Sequence, residues 1–331
     1  MREVVLPLHI TCQQLEAIRD RTFHRLPYLR IRGEQSALRF IRKVGFCFTF
    51  STFGFSAPCL WVAVSGRRHP RWPRHTHHDP GVLLTWELKD ILPAKRLVYY
   101  GKLLKGRPTL VSLELFPAFV ALIREGRRSG DYLADYRDGR LSRTALRIMD
   151  ALMEESPEIT PRLRRRTGCE ASERTREFER AMAELQRKLW VVKVEEIYEP
   201  SFCYRWDLLE NWLPEQVRRG EGLSRDDAVL QIVREHLTHA IASQERIMAR
   251  LFDLSVPEVE RALGRLTAEG SIARGVPIRG LPGHWVLWQS ALPRSLRDAS
   301  AAATRSAPRG DNLKKGAKRL MLNAQQGLPH G

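Results

Sequence analysis

Residues 142–206 read SRTALRIMDALMEESPEITPRLRRRTGCEASERTREFERAMAELQRKLWVVKVEEIYEPSFCYRW, and the order of patterns inside this stretch decides the fold. Ser142 stands where an N-cap is needed, its hydroxyl able to accept from first-turn amides, and Leu146, Met149, Leu152 and Met153 follow at helical spacing. A short basic helix is expected over Pro161 to Thr167, ended by Gly168 in a left-handed conformation. In the next helix Phe178, Ala181, Met182, Leu185 and Leu189 form one apolar stripe, which leaves Arg174, Arg176, Arg180 and Arg187 on other faces. Val192, Val194 and Tyr198 then alternate, Glu199-Pro200-Ser201 turns the chain, and Phe202, Tyr204 and Trp206 alternate again, as in a β-hairpin. Three helices followed by a hairpin make a winged helix.

The same order recurs about 80 residues later, an internal repeat. Val229, Ile232, Val233 and Leu237 mark its first helix, and Ser243 is expected to open a second through Ile247 and Leu251. Ser255 and Glu258 have capping-box spacing ahead of a third helix carrying Val259, Leu263 and Leu266. A strand at Ile272, a Gly- and Pro-containing tip at Gly275 to Gly283 and a strand through Trp285 and Leu287 complete the second hairpin. Upstream, Leu15, Ile18 and Phe23 suggest an opening helix, Ala37 to Val44 another, and Phe46 to Phe53 an aromatic strand-like run. A helical pattern from Gly81 to Pro93, then Arg96 to Tyr100 and Thr109 to Leu113, fits a third, degenerate winged helix.

The expected fold class is therefore mainly α with small β-hairpins (α+β), built from three tandem winged-helix modules. The expected division is a mixed region at 1–130, winged helices at 131–218 and 219–296, and a disordered basic tail at 297–331, where Asp311 is the one acid after position 300.

Charge narrows the class of partner. Of 331 residues, 55 are Lys or Arg and 38 are Asp or Glu, a net charge of +17 that suits a polyanion, with nucleic acid ahead of an anionic membrane. The bland alternative is surplus arginine that only solvates the surface. No run approaches the roughly 20 apolar residues of a membrane span, and Met1 to Pro7 lacks the apolar core of a signal peptide. Cys12, Cys47, Cys59, Cys169 and Cys203 are odd in number with no C-x-x-C pair, as expected of reduced thiols in a cytoplasm.

Candidate DNA contacts are Arg162, Arg164, Arg165 and Arg166 before the third helix of the quoted stretch and Arg174, Arg176 and Arg180 on it. Glu170, Glu173, Glu177 and Glu179 are interleaved with them, so a self-paired solvated face stays open. Arg261 and Arg265 hold the equivalent place in the second repeat, with Arg274, Arg279 and His284 on its wing. His69, His75, His77, His78 and Asp79 crowd one loop, but Arg67, Arg68, Arg71 and Arg74 would repel a cation, so no metal is expected. The phosphate-loop, dinucleotide, zinc-protease and nucleophile-elbow patterns are missing from the sequence, and no cofactor is expected.

The order of three such units, with Val44-Gly45-Phe46, Thr85-Trp86-Glu87 and Ile91-Leu92-Pro93, resembles the AlkZ/YcaQ family of cross-link-repair DNA glycosylases over about residues 10–290. Leu189 to Val194 and Phe202 to Trp206 look like that family's helix-to-wing passage. The resemblance implies a cytoplasmic or nucleoid protein of bacterial type, with duplex DNA as partner, alkylated or distorted. It also implies a Gln-containing Q-x-Q or Q-x-D motif after a Gly-led turn, which positions water to cut the N-glycosidic bond. With that turn laid on Gly45, Phe48 and Phe50 occupy the two motif positions, and neither side chain orients or deprotonates water. Replacement catalytic groups would be sought at His77, His78, Asp79 and Glu87. The expected function is DNA binding. The alternatives are an active, monofunctional DNA glycosylase acting on alkylated or cross-linked bases, or a winged-helix module that binds another protein.

Overall fold

The computed structural model describes residues 10–50 and 54–291. The tail expected at 297–331 and the end of the Phe46 to Phe53 run lie outside those residues. Three times the chain passes through helix, short strand, helix, helix and hairpin. Unit one is α1 (Glu34–Val44), β1 (Phe46–Phe48), α2 (Leu60–Ser65), α3 (Pro80–Ala94), β2 (Val98–Leu104) and β3 (Arg107–Ser112). Unit two is α4 (Arg143–Glu154), β4 (Glu158–Ile159), α5 (Thr160–Arg166), α6 (Thr175–Arg187), β5 (Val191–Ile197) and β6 (Cys203–Leu208). Unit three is α7 (Arg225–Ala240), β7 (Ala242–Ser243), α8 (Glu245–Phe252), α9 (Val256–Ala268), β8 (Ile272–Arg279) and β9 (His284–Trp288).

In each unit the short first strand pairs with the third, giving sheet orders β1-β3-β2, β4-β6-β5 and β7-β9-β8. The expected α+β class with three winged-helix units is the one observed. In unit three the chain's start adds a strand, Ile10–Thr11, parallel to β8 with Ile10 opposite Ile278.

The caps explain where the helices begin. Ser142 Oγ accepts from the Ala145 amide at 3.2 Å, and Ser255 and Glu258 form the reciprocal capping box at the start of α9. Several local expectations are corrected. Ser243 lies in β7, and Gln244 is the N-cap of α8 instead. Arg174 is the residue before α6 rather than on it. Met153 is 46% exposed. Leu189 follows the end of α6 at a positive φ of 58° and is buried in a different core from the rest of its stripe.

That division of cores matters most. Ile148, Met149, Leu152, Phe178, Leu185, Trp190 and Trp206 form a core inside unit two. Units one and three share a second core, in which Phe46, Phe48 and Val111 meet Ile232, Val233, Met248 and Leu263, and Val192 and Val194 of β5 join it from unit two. Two helices between units complete it: Phe116–Arg124 and Pro214–Glu221. The first is buried almost all round, which is why it shows no amphipathic stripe.

His236 on α7 sits in this shared core between the rings of Phe46 and Phe252, with Nε2 3.2 Å from Ser243 Oγ. Burial, with a smaller contribution from the positive charge of Arg19, lowers its pKa to about 3. The folded pKa lies below the unfolded value near 6.5, so the stabilisation is present above the unfolded pKa and is lost as pH falls from there towards 3. The unfolded chain then binds one more proton, a slope of about 1.4 kcal/mol per pH unit. His236→Gln should flatten the pH dependence of urea unfolding between pH 6 and 4; an unchanged slope would place the neutral ring elsewhere.

Candidate nucleic-acid interface

Most of the arginines picked from the sequence are already paired. On α5, Arg162 bonds Glu155 at 2.8 Å and Glu158 at 3.0 Å. Arg165 bonds Glu170 at 3.1 Å, and Arg166 bonds Glu154 at 2.6 Å. Arg164 donates to Cys169 O at 2.8 Å and to Thr175 Oγ1 at 2.8 Å, fixing the turn into α6. Arg174 reaches Glu177 at 3.2 Å. In unit three, Arg261 pairs with Asp226 at 2.9 Å and Arg265 with Asp227 at 2.7 Å. Exposed pairs of this kind hold with about 0–1 kcal/mol, but their carboxylates repel an approaching phosphate. Arg176, Arg180 and Arg279 are exposed and have no carboxylate partner among the described residues.

Arg180 has company that the sequence reading overlooked. A groove of about 600 Å³ between the start of α4 and the outer face of α6 is lined by Arg143, Arg180 and Arg187, with Glu177 and Glu184. Both Glu184 oxygens accept from Ser142, from its amide at 2.9 Å and its hydroxyl at 2.7 Å. Glu177 accepts from Thr144 and Arg174. The groove therefore presents, in Arg180 and Arg187, guanidiniums without a carboxylate partner among the described residues on the third helix of a winged helix, the element that enters a DNA groove. A wider cleft of about 770 Å³ next to it offers less, because its Asp150 and Arg166 are bonded to Tyr132 and Glu154.

The third helix of unit one is not free in the same way. Lys89 and Asp90 of α3 meet Lys193 and Glu196 of β5, with Lys89 Nζ 3.1 Å from Glu196 Oε1. The two ammoniums lie 5.9 and 4.9 Å from the centre of the Tyr100 ring. Burial pushes the Glu196 carboxyl up, yet Lys193 and Lys89 outweigh it and bring it down to about 2. This ionic contact docks unit one's third helix on unit two's wing.

The opposite end of α3 carries a different surface. Cys59 caps the six-residue α2, and Gly66 ends it in the left-handed conformation. A proline-containing loop then leads to a turn at Thr76–His78 and to Asp79, whose carboxylate accepts from the Val82 amide at 2.8 Å as the N-cap of α3. Five aromatic rings from five segments meet along and beside this path. Trp61 of α2 lies 4.8 Å from Trp72 of the loop. Phe50, just past β1, lies 5.7 Å from Trp72 and 6.4 Å from Trp86 of α3. His77 of the turn lies 5.2 Å from Trp86. Arg250 of α8 braces the segment beyond, donating to Gly54 O at 3.3 Å and covering the Phe55 ring. The sequence signal was there: Trp61, Trp72 and Trp86 are three of the chain's eight tryptophans in one short span.

The four residues proposed for chemistry do not converge into one site. His77 faces Trp86, while Asp79 is committed to capping. Among the described residues His78 is in contact with the His75 ring, and Glu87 is exposed on α3. No group of three His, Cys, Asp or Glu side chains among the described residues is placed to hold a metal ion. Gly45 ends α1 at φ +72°, and a Cβ there would run into Glu235 and stand 2.8 Å from Leu115. Beyond this turn Phe48 is 1% exposed in the shared core, and Phe50 joins the aromatic group.

The geometry defines a class first: a tandem winged-helix protein with a basic groove on its middle unit and an aromatic surface on its first. The chain belongs to the AlkZ-related family, whose pattern matches residues 31–253. Among solved structures it is similar to the Streptomyces sahachiroi DNA glycosylase AlkZ, with 13% identity and a TM-score of 0.55, covering 87% of this chain and 72% of that one. Its fold is thus that of a known DNA glycosylase. No curated protein matches. Among the described residues no helix is long and apolar enough to cross a membrane.

Proposed function

We propose that this protein binds duplex DNA, recognising damaged or distorted sites by shape, and does not itself release bases. The observation that carries this reading is the pair Phe48 and Phe50. The family resemblance assigns those two positions to a water-positioning motif, and here one ring is buried in the core and the other stacks among tryptophans. Neither side chain accepts a proton or orients a water. Arg143, Arg180 and Arg187 of the unit-two groove supply the phosphate grip, joined by Arg176 on α6 and by Arg279 on β8 of unit three, none of them with a carboxylate partner among the described residues. Arg162, Arg164, Arg165, Arg166, Arg174, Arg261 and Arg265 contribute less because each is already engaged within the protein.

Binding to a fluorescent duplex, titrated across a range of salt concentrations, tests the reading. The logarithm of the binding constant should fall linearly with the logarithm of salt concentration. Arg180→Ala should reduce that slope by about 1, whereas Arg162→Ala should reduce it less, since Glu155 and Glu158 neutralise its charge. Absence of binding at low salt would sink the proposal and leave a protein-interaction module in its place.

A further inference from the structure

A single exposed ring is ordinary, but a contiguous aromatic patch marks a binding surface, and Trp72 is 54% exposed within such a group. Its neighbours are held from three sides. Trp61 is fixed by α2, where its amide donates to Thr49 O at 3.0 Å. Trp86 is fixed by α3, and Phe50 by the strand end that precedes it. Arg71 and Arg74 flank Trp72 in the same loop, both exposed and without a carboxylate partner among the described residues. The rings meet edge to face rather than stacked on one another, Trp72 is exposed to solvent, and cations beside it suit a phosphate that arrives with a planar ligand. Aromatic faces stack any of the four bases, because every base has a π face.

We infer that the surface formed by Phe50, Trp61, Trp72, His77 and Trp86 is a stacking site for an unpaired nucleobase of a DNA duplex, such as the base of a bulge or the orphan opposite an abasic position. The inference rests on the DNA-binding reading above and adds to it the feature that distinguishes a distorted site from a regular one. A paired base stays inside its stack and cannot reach Trp72. An unpaired base gives up little on leaving it, so the contact discriminates without any base-specific hydrogen bond.

The test uses the full chain and two duplexes that differ in a single-nucleotide bulge, with 2-aminopurine as the bulged base. Wild-type protein should bind the bulged duplex more tightly than the paired one and change the 2-aminopurine emission as the base stacks. Trp72→Ala should lose affinity for the bulged duplex by about 5- to 150-fold, the range of one stacked base, and leave the paired duplex unaffected. Trp72→Phe should restore most of both signals, which a ring needed only for loop packing would not do for 2-aminopurine. If wild-type and Trp72→Ala proteins bind both duplexes equally with unchanged emission, the stacking site is wrong while DNA binding stands. If wild-type protein binds neither duplex, both readings fail.

Discussion

Arg124→Met should cost about 3–5 kcal/mol of stability, the usual effect of removing one partner from a buried, hydrogen-bonded ion pair. Arg124 ends the buried helix Phe116–Arg124 and is 2% exposed. Its guanidinium pairs with Glu210, donates from Nη2 to Leu189 O at 2.7 Å and lies 4.6 Å from the centre of the Trp190 ring. Methionine replaces the volume but leaves the Glu210 carboxylate and the Leu189 carbonyl unanswered. Because Trp190 belongs to the core of unit two and Leu189 to the core shared by units one and three, unfolding should also become less cooperative. Coincident fluorescence and circular-dichroism transitions in the variant, at wild-type denaturant concentration, would refute this.

Gly220→Val should prevent folding at 37 °C or come close to it. Gly220 lies in the helix Pro214–Glu221, pressed on Phe116–Arg124, where an added Cβ would stand 2.7 Å from Val120 Cβ and 2.8 Å from Pro117 O. One of those neighbours is backbone and the other a β-branched carbon, so neither turns aside. Even Gly220→Ala should destabilise: alanine's helix propensity gains up to about 1 kcal/mol, against about 1–3 kcal/mol for overpacking. A thermal melt of the alanine variant at or above wild type would show that the helix pair has room to separate.

These two residues also show what was and was not legible beforehand. Helix starts with a hydroxyl cap, such as Ser142 and Ser255, could be read directly because the cap is a local hydrogen bond. The winged-helix order was readable because apolar residues alternate in the sequence of the second hairpin, at Val192, Val194, Phe202, Tyr204 and Trp206, and because the third helices of units two and three carry a stripe. The connecting helix Phe116–Arg124 was not, since an apolar run has no period when every face is covered. The two-residue strands β4 and β7 were equally silent, because their pairing with β6 and β9 is decided across the fold. At the candidate interface, sequence gave the arginines but not their partners. Only the fold shows Arg162 clamped by Glu155 and Glu158 while Arg143, Arg180 and Arg187 share a groove. The aromatic group was hidden for the same reason, since Phe50, Trp61, Trp72 and Trp86 meet only once α2 and α3 fold over β1.

The central claim, DNA binding without base release, is tested most directly by incubating saturating protein with methylated duplex DNA and then heating the sample in alkali. The account predicts a fully bound duplex, salt-sensitive in its affinity, whose strands stay intact to the level of a protein-free control. Protein-dependent strand breaks would contradict it, establish a glycosylase, and direct attention to His77, Asp79 and Glu87 beside the aromatic surface.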